Sequence, residues 1–178
     1  MSDYRSPFDT LANGALHWFN KEWKIVSFDL AKENVYLLQP PPFVRSTSFY
    51  GDCLRLQVLG GCLCFVHEKR DECLDIWFLR KTGESSSSDV NEQDNYDLLS
   101  WIKEFSIPIG ESGAEPCALT NSGEVLMRYK GCLFCYNPQT ASLEKLMDNE
   151  FGYVFPHVNS FVSLEALGER GSKFRKKV

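Results

Sequence analysis

The fold is decided by the stretch GCLCFV, residues 61–66, and by the strand containing Trp77 that follows it. An apolar run opens on a glycine, a polar break interrupts it, and the next apolar run carries an aromatic residue. The same unit occurs as GALHWF (14–19) before Phe28 and as GEVLMRY (123–129) before Tyr136. Because an amphipathic strand pair cannot bury its face alone, these repeated units predict stacked sheets.

The sequence between these units is typical of strands and turns. Leu54, Leu56 and Val58 alternate with polar residues, and residues 101–107 are predicted as a strand that ends at Pro108. Turns are predicted at residues 60–61, 121–123 and 137–138. An Asp or Asn follows the aromatic residue of the first and third units, and Val35 and Leu143 resume the strand. We therefore expect an all-β fold, a partial β-propeller-like array of antiparallel sheets with about three incomplete blades.

Composition and charge bound the domain organisation. The chain has 178 residues, 43% hydrophobic and 13% aromatic, which is enough for one core and favours strands. Residues 1–13 are predicted as a lead-in, 14–168 as the domain, and 169–178 as a basic tail. A serine-rich segment, residues 84–95, carries four carboxylates and no base, out of a net charge of −5. The tail is interpreted as a solvated terminus, so neither nucleic acid nor a membrane is expected as a partner.

The seven cysteines are predicted to be free thiols, and several of them fill apolar strand positions: Cys62, Cys64, Cys132 and Cys135. Cys132-x-x-Cys135 has the spacing of a zinc pair, but residues three apart on a strand face opposite sides. We predict no metal and no cofactor. His17, His67 and His157 have no nucleophile at a motif spacing, and no phosphate loop or nucleophile elbow is present, so we predict that the protein is not an enzyme.

Two groups of side chains are candidates for packing or contact. Large aromatic residues at corresponding places in the units are expected to pack between sheets: Trp18, Phe28, Trp77, Trp101, Phe105, Phe134 and Tyr136. Four residues nearer to predicted loop ends are candidate partner-binding residues: Arg45, Tyr50, Arg70 and Arg128. The N-terminal residues through Pro7 lack a signal pattern and no apolar run is long enough to span a membrane. A cytoplasmic location is therefore expected, with the nucleus as the alternative.

The ordered blocks of the sequence resemble the F-box-associated domain of plant F-box proteins, a kelch-related propeller-like module. The blocks that carry the resemblance are GALHW (14–18), IVSFDL (25–30) with Glu33, the prolines at 40–42, LRLQVLGGCLC (54–64), IWFL (76–79), SWIK (100–103), NSGEVL (121–126), YNPQT (136–140) and NSFVSL (159–164).

The resemblance implies a non-enzymatic role. In that family an F-box binds a Skp-type adaptor of a cullin-based ubiquitin ligase, and the repeat domain recruits the protein to be ubiquitinated. This chain has no F-box, so the resemblance implies a target protein as partner, and a Skp-type adaptor only where an F-box lies upstream. The chain is interpreted as a truncated product or a short paralogue.

Other functions stay open from the sequence. Propeller folds also host enzymes and glycan-binding domains, and an inactive truncated paralogue is a further alternative. The ordered blocks favour a protein-interaction module, whose loops between strands would bind another polypeptide.

Overall fold

The computed structural model describes residues 10–42, 52–82 and 99–148, in which there are twelve β-strands and no α-helix. The strands form three four-stranded antiparallel meanders in chain order. The first sheet contains β1 (Leu11–Ala12), β2 (Ala15–Phe19), β3 (Ile25–Asp29) and β4 (Asn34–Leu38). The central sheet contains β5 (Cys53–Leu59), β6 (Cys62–Glu68), β7 (Cys73–Lys81) and β8 (Leu99–Pro108). The third sheet contains β9 (Glu115–Leu119), β10 (Val125–Tyr129), β11 (Cys132–Asn137) and β12 (Ser142–Met147). The predicted all-β, propeller-like array is confirmed.

Two-residue turns with left-handed backbone connect one strand pair in each sheet. Their residues are Asn13–Gly14, Gly60–Gly61 and Lys130–Gly131, with φ between 51° and 79°. Such turns match the twist of the flanking strands. In the first and central sheets the turn joins the first two strands, whereas in the third sheet it joins β10 and β11. Gly123 therefore lies in a different turn from Gly14 and Gly61, a five-residue loop in which its N–H donates to the Thr120 carbonyl at 3.0 Å.

The turn after the third strand is the same in the first and third sheets. The Asp29 carboxylate accepts the backbone N–H groups of Ala31 and Lys32 at 2.9 and 3.0 Å. The Asn137 side-chain oxygen accepts the corresponding N–H groups, at 2.9 and 3.3 Å, in the turn before β12. These bonds explain the Asp or Asn after each aromatic residue, because a short polar side chain satisfies the turn's free donors.

The central sheet is buried on both faces, and side chains alternate between two cores. One face packs on the first sheet through a core of Ala12, Ile25, Leu38, Leu56, Leu63, Phe65 and Leu79. The other face packs on the third sheet through a larger core that includes Val66, Leu74, Ile76, Phe78, Ile107, Val125, Met127 and Tyr136. Cys64 is fully buried in the second core, so its predicted role as a small apolar filler is confirmed.

Neighbouring sheets meet through their first or second strands. Contacts between sheets join β5 to β9, β2 to β5 and β1 to β6. Polar bonds fix the join between the central and third sheets, where Arg55 donates to the Ala114 carbonyl and Gln57 donates to the Pro116 carbonyl at 3.2 Å. These bonds connect β5 to Ala114, which precedes β9, and to Pro116, which lies in β9.

Phe28, Trp77 and Tyr136 occupy like positions, each on the third strand of its sheet, as predicted. Trp77 packs against the core shared with the first sheet, and Tyr136 lies in the core shared with the central sheet. Each therefore points towards the preceding sheet. Phe28 and Trp18, however, lie on the face of the first sheet that is turned away from the central sheet. The expectation that they pack between sheets is not met among the described residues.

Not every strand was predicted from the sequence. Leu11–Ala12, inside the predicted lead-in of residues 1–13, form β1 and pair with Leu16 and Ala15. β9 was also missed, although it pairs with β10 across a register shift between Leu126 and Met127. Segment 101–107 is a strand, as predicted, and forms most of β8.

Candidate functional site

The outer face of the first sheet is made only of apolar side chains. Register places Leu11, Leu16, Phe28 and Val35 side by side in one row across the four strands. Trp18, Val26 and Leu37 form the adjacent row. Residues that pair directly lie on the same face of a sheet, and so do residues two apart on a strand. This surface, here called the outer apolar face, is the reverse of the face that packs on the central sheet.

The outer apolar face is open to solvent at its two edge strands, whereas Val26 on β3 is only 9% exposed. Val35 is 61% exposed, Leu37 55% and Leu11 51%. Single exposed apolar residues are ordinary, but a contiguous apolar surface on a folded domain is typical of an interaction site. The corresponding faces of the central and third sheets, which carry Trp77 and Tyr136, are each covered by a neighbouring sheet. The outer apolar face therefore has the chemistry of a surface that packs against another protein surface.

An open cleft of about 590 Å³ lies between the first and central sheets. The first sheet contributes Asn13 and Lys32, which lie in the turns after β1 and β3. The central sheet contributes the start of β6, the end of β7 and the start of β8, where Cys62, Leu79, Arg80, Lys81 and Leu99 line the cleft. Its volume falls within the range of ligand clefts, about 300–1,000 Å³.

Positive charge dominates the lining of this cleft. Lys32, Arg80 and Lys81 are exposed, and the lining residues that the structure describes include no Asp or Glu. Arg80 bonds to Glu104 on the adjacent strand at 2.5 Å, so its charge is paired. Leu79 and Leu99 line the side of the cleft that faces the first sheet, whereas Cys62 packs against the core shared with the third sheet. We call this site the basic cleft.

A buried carboxylate, Asp75 on β7, forms the densest polar cluster of the central sheet. It accepts a hydrogen bond from the Ser106 hydroxyl at 2.6 Å, with Lys69 and Lys103 ammonium groups at 3.2 and 3.5 Å. Burial opposes ionisation of Asp75, but the bonds from Ser106 and Lys69 outweigh it and lower the pKa. The same bond raises the pKa of Lys69. The cluster is thus a satisfied ion network that joins β7, β8 and the loop after β6.

Two histidines have specific partners. His67 bonds to the Asp52 carboxylate at 2.8 Å. His17 bonds to the Ser27 hydroxyl at 2.7 Å and to the Ala12 carbonyl at 3.2 Å. Donation by His17 Nε2 to that carbonyl leaves Nδ1 to accept from Ser27. Because Ser27 is fully buried, this hydroxyl joins β2 to β3 and is not accessible to a substrate.

The structure separates the predicted partner-binding residues that it describes. Arg70 lies in the loop between β6 and β7, where its side chain is 67% exposed and 3.5 Å from Asp71. Arg128 lies on β10 and its guanidinium bonds to Glu115 on β9, with Nε at 3.2 Å from the carboxylate. Its charge is therefore paired across the strands. Arg45 and Tyr50 lie outside the described residues, and the two that the structure describes, Arg70 and Arg128, lie on different sheets.

The described part of the chain shows neither a metal-binding cluster nor a spanning helix. Among residues 10–42, 52–82 and 99–148, no group of three or more His, Cys, Asp or Glu side chains could hold a metal ion. Cys132 pairs with Tyr129 on the core side of the third sheet, and Cys135 pairs with Leu126 on the opposite side. Within the same ranges, no helix is long and apolar enough to cross a membrane.

Sequence reasoning missed the surfaces that the structure makes most accessible. Apolar residues on both faces of β2 and β3 were a usable signal, because continuous apolar strands are typical of sheets covered on both sides. The basic cleft had no local signal, since Lys32 and Lys81 come from different sheets.

No family model, curated protein or solved structure matches the chain. The resemblance to the F-box-associated domain therefore rests on the ordered sequence blocks alone.

Proposed function

We propose that this chain is a non-enzymatic protein-interaction module that recruits a target protein for ubiquitination, as the substrate-recognition domain of an F-box adaptor does. The target would bind directly to the sheet array. A Skp-type adaptor would be a partner only through an F-box segment upstream of these sheets.

One observation carries this proposal: the outer apolar face, with Leu11, Val35 and Leu37 each more than half exposed. A rigid support lies behind it, because the reverse of the same sheet packs into the core containing Ile25 and Phe65. Pre-organised surfaces lose little conformational entropy on binding, which favours recognition of a folded partner. The ordered resemblance to the F-box-associated domain supports the ubiquitin-ligase context.

The proposal is tested with a variant that alters only the outer apolar face, Val35→Asp/Leu37→Asp. Both side chains are exposed, so the fold should tolerate the change. The full natural protein, tagged, is expressed in its own cells, and co-purified proteins are identified by mass spectrometry. A target should co-purify with the natural protein, be lost with the variant, and have a longer half-life when the natural protein is removed.

A matched control is Leu146→Asp/Met147→Asp on β12, where both side chains are 46% exposed. It introduces the same charges on the third sheet and should retain the target. The proposal is wrong if no protein shows both co-purification and a changed half-life, or if the two double variants lose the target equally.

A further inference from the structure

We propose that two copies of this chain form a dimer in which β4 of one copy pairs antiparallel with β4 of the other. The two first sheets would then form one eight-stranded sheet, and the two outer apolar faces would become one surface. Among the described residues, β4 is the last strand in the order of the first sheet. This inference goes beyond the proposed function, which needs only one copy of the chain.

The hydrogen-bond alternation of the first sheet shows which strand each residue of β3 bonds to. Beyond the two ends of the β2–β3 pair, the Leu30 N–H donates to the Gly14 carbonyl at 3.0 Å, and the Asn20 N–H donates to the Lys24 carbonyl at 2.9 Å. Along an antiparallel strand, successive residues bond alternately to one neighbour and to the other. The even-numbered residues of β3 therefore bond to β2, and its odd-numbered residues, among them Ser27, bond to β4.

The same alternation turns the backbone N–H and carbonyl groups of Val35 and Leu37 away from the sheet. Ser27 pairs with Tyr36, so the backbone of Tyr36 bonds to β3 and the backbone groups on either side of it point outward. They give β4 an edge of two donors and two acceptors that bond to no other strand the structure describes. Such an edge favours pairing with a strand of another chain.

The composition of β4 also favours pairing, because the strand carries no charge. Its five residues are Asn, Val, Tyr, Leu and Leu. The last strand of the central sheet, β8, carries Lys103 and Glu104, and the last strand of the third sheet, β12, carries Glu144 and Lys145. Charged side chains on an edge strand oppose pairing with other chains. Of the last strands of the three sheets, β4 is therefore the one suited to an interface.

The sequence of β4 is complementary to itself, which favours a second copy as the occupant of this edge. When two copies run antiparallel about Tyr36, Val35 of each lies opposite Leu37 of the other, and each such pair exchanges two hydrogen bonds. Apolar side chains then lie beside apolar side chains on the outer face. The nearest carboxylate, on Glu33, lies opposite Gln39 of the second copy, so no like charges meet. A two-fold interface requires this kind of self-complementarity.

The short length of β4 predicts a weak dimer. Two paired strands of five residues form a small contact beside the roughly 1,200–2,000 Å² of a stable interface, so we expect a dissociation constant of roughly 10–100 µM. Pairing would place the exposed Val35 and Leu37 side chains of both copies at the centre of the joined surface. A target that covers this surface would contact twice as many of these side chains as one copy offers.

Analytical ultracentrifugation of the full chain, between about 1 and 500 µM, tests the inference. The mean mass should rise from that of the monomer towards twice that value. Val35→Pro removes one outward N–H and keeps an apolar side chain on the outer apolar face. Proline is tolerated on an edge strand where its nitrogen faces solvent, so the sheet should be retained, which circular dichroism checks. Dimerisation of this variant should be at least tenfold weaker.

Lys145→Pro on β12 is the matched control. Tyr129 and Cys132 flank a two-residue turn and form a hydrogen-bonded pair, so by the same alternation Phe134 bonds to β10. Lys145 pairs with Phe134, and its N–H therefore also points away from its sheet. This variant removes an outward N–H from another edge strand and should change the dissociation constant less than twofold.

Amide hydrogen exchange of the natural protein, followed by NMR, is a second measurement that does not depend on the folding of a variant. Exchange at Val35 and Leu37 should slow severalfold as the concentration rises from about 5 to 500 µM, because these amides become bonded in the dimer. Exchange at Lys145 should not change with concentration.

Three outcomes would overturn the inference. The first is a chain that stays monomeric at about 500 µM. The second is a dimer that Val35→Pro leaves intact and in which the Val35 and Leu37 amides exchange freely, which would mean that the outer apolar faces stack on each other. The third is a monomeric chain whose Val35→Pro variant loses the target protein, which would assign the edge of β4 to an extended segment of that target. Failure of the proposed function is recognised separately, by the absence of any captured target whatever the mass of the chain.

Discussion

The ion pair between Arg55 and Glu68 should contribute strongly to the attachment of the third sheet. Arg55 on β5 and Glu68 at the end of β6 are 3.2 Å apart, with side chains only 15% and 3% exposed. Glu68 also accepts the N–H of Gly113, and Arg55 donates to the Ala114 carbonyl. Both side chains thus link the central sheet to the segment that leads into β9.

Glu68→Gln keeps the shape of the side chain but leaves the Arg55 charge without its counterion. Removal of one member of a buried pair costs about 3–5 kcal/mol, and the partial exposure of Arg55 favours the lower end, about 3 kcal/mol. For a chain of this size 1 kcal/mol shifts the melting temperature by about 2–4 °C, so a decrease of about 6–12 °C is expected. Arg55→Met should be at least as harmful, because it leaves a buried carboxylate unpaired.

The double variant Arg55→Met/Glu68→Met distinguishes charge pairing from packing. Replacement of both ions by apolar side chains is often close to neutral, so the double variant should be more stable than either single variant. Urea unfolding followed by tryptophan fluorescence and by circular dichroism gives the free energies and checks that the two transitions coincide.

The exposed pair of Glu22 and Lys24, at 2.7 Å, serves as the control. Glu22→Gln should leave the unfolding midpoint unchanged, because exposed ion pairs are screened by solvent. If the Arg55 and Glu68 single variants unfold at the natural midpoint, or their effects simply add in the double variant, the assigned role of the pair is wrong.

Three further predictions test the packing and the buried polar groups. Phe65→Ala should destabilise the chain by about 3–5 kcal/mol in urea unfolding, because Phe65 is fully buried between two aromatic rings of other strands. A decrease below about 1 kcal/mol would contradict this packing. Burial lowers the pKa of His17, with partial compensation from its bond to a backbone carbonyl. In the unfolded chain His17 therefore takes up a proton near pH 6.5, whereas in the folded chain it is still neutral at this pH. The free energy of unfolding should fall as the pH is lowered through this value. His17→Asn should reduce that slope between about pH 7.5 and 5.5, and an unchanged slope would refute the assignment. Gly60→Ala should cost more than Gly61→Ala in thermal melts. Both have left-handed backbone, but only at Gly60 would a new Cβ lie 3.1 Å from Leu119. Equal melting temperatures would show that Leu119 on the third sheet moves aside at no cost, which would contradict this prediction.

The strands that could be predicted from the sequence are those whose own residues show an apolar pattern. β2, β6 and β10 each follow a glycine and carry apolar residues, so their pattern is visible locally. β9 contains Pro116, and β12 is largely exposed. Such edge strands take their structure from the neighbour with which they pair, and their own pattern is weak. β1, with two residues, has no pattern at all.

The candidate contact residues were harder to predict, because charge pairing depends on register. Arg128 is placed near a loop end by its sequence position, yet it lies opposite Glu115 only because β9 and β10 pair in a particular register. Lys32 and Lys81 meet across two sheets that have no shared local motif. A sequence reports which residues are apolar or charged, whereas a site depends on which of them are neighbours.

The size of the outer apolar face limits what it can do alone. Full burial of a Val or Leu side chain contributes roughly 1.5–3 kcal/mol, so covering the exposed half of Leu11, Val35 and Leu37 contributes about 3 kcal/mol. Association itself costs roughly 4–15 kcal/mol, so these three contacts cannot hold a partner. A stable complex needs about 1,200–2,000 Å² of buried surface and therefore contacts beyond this face.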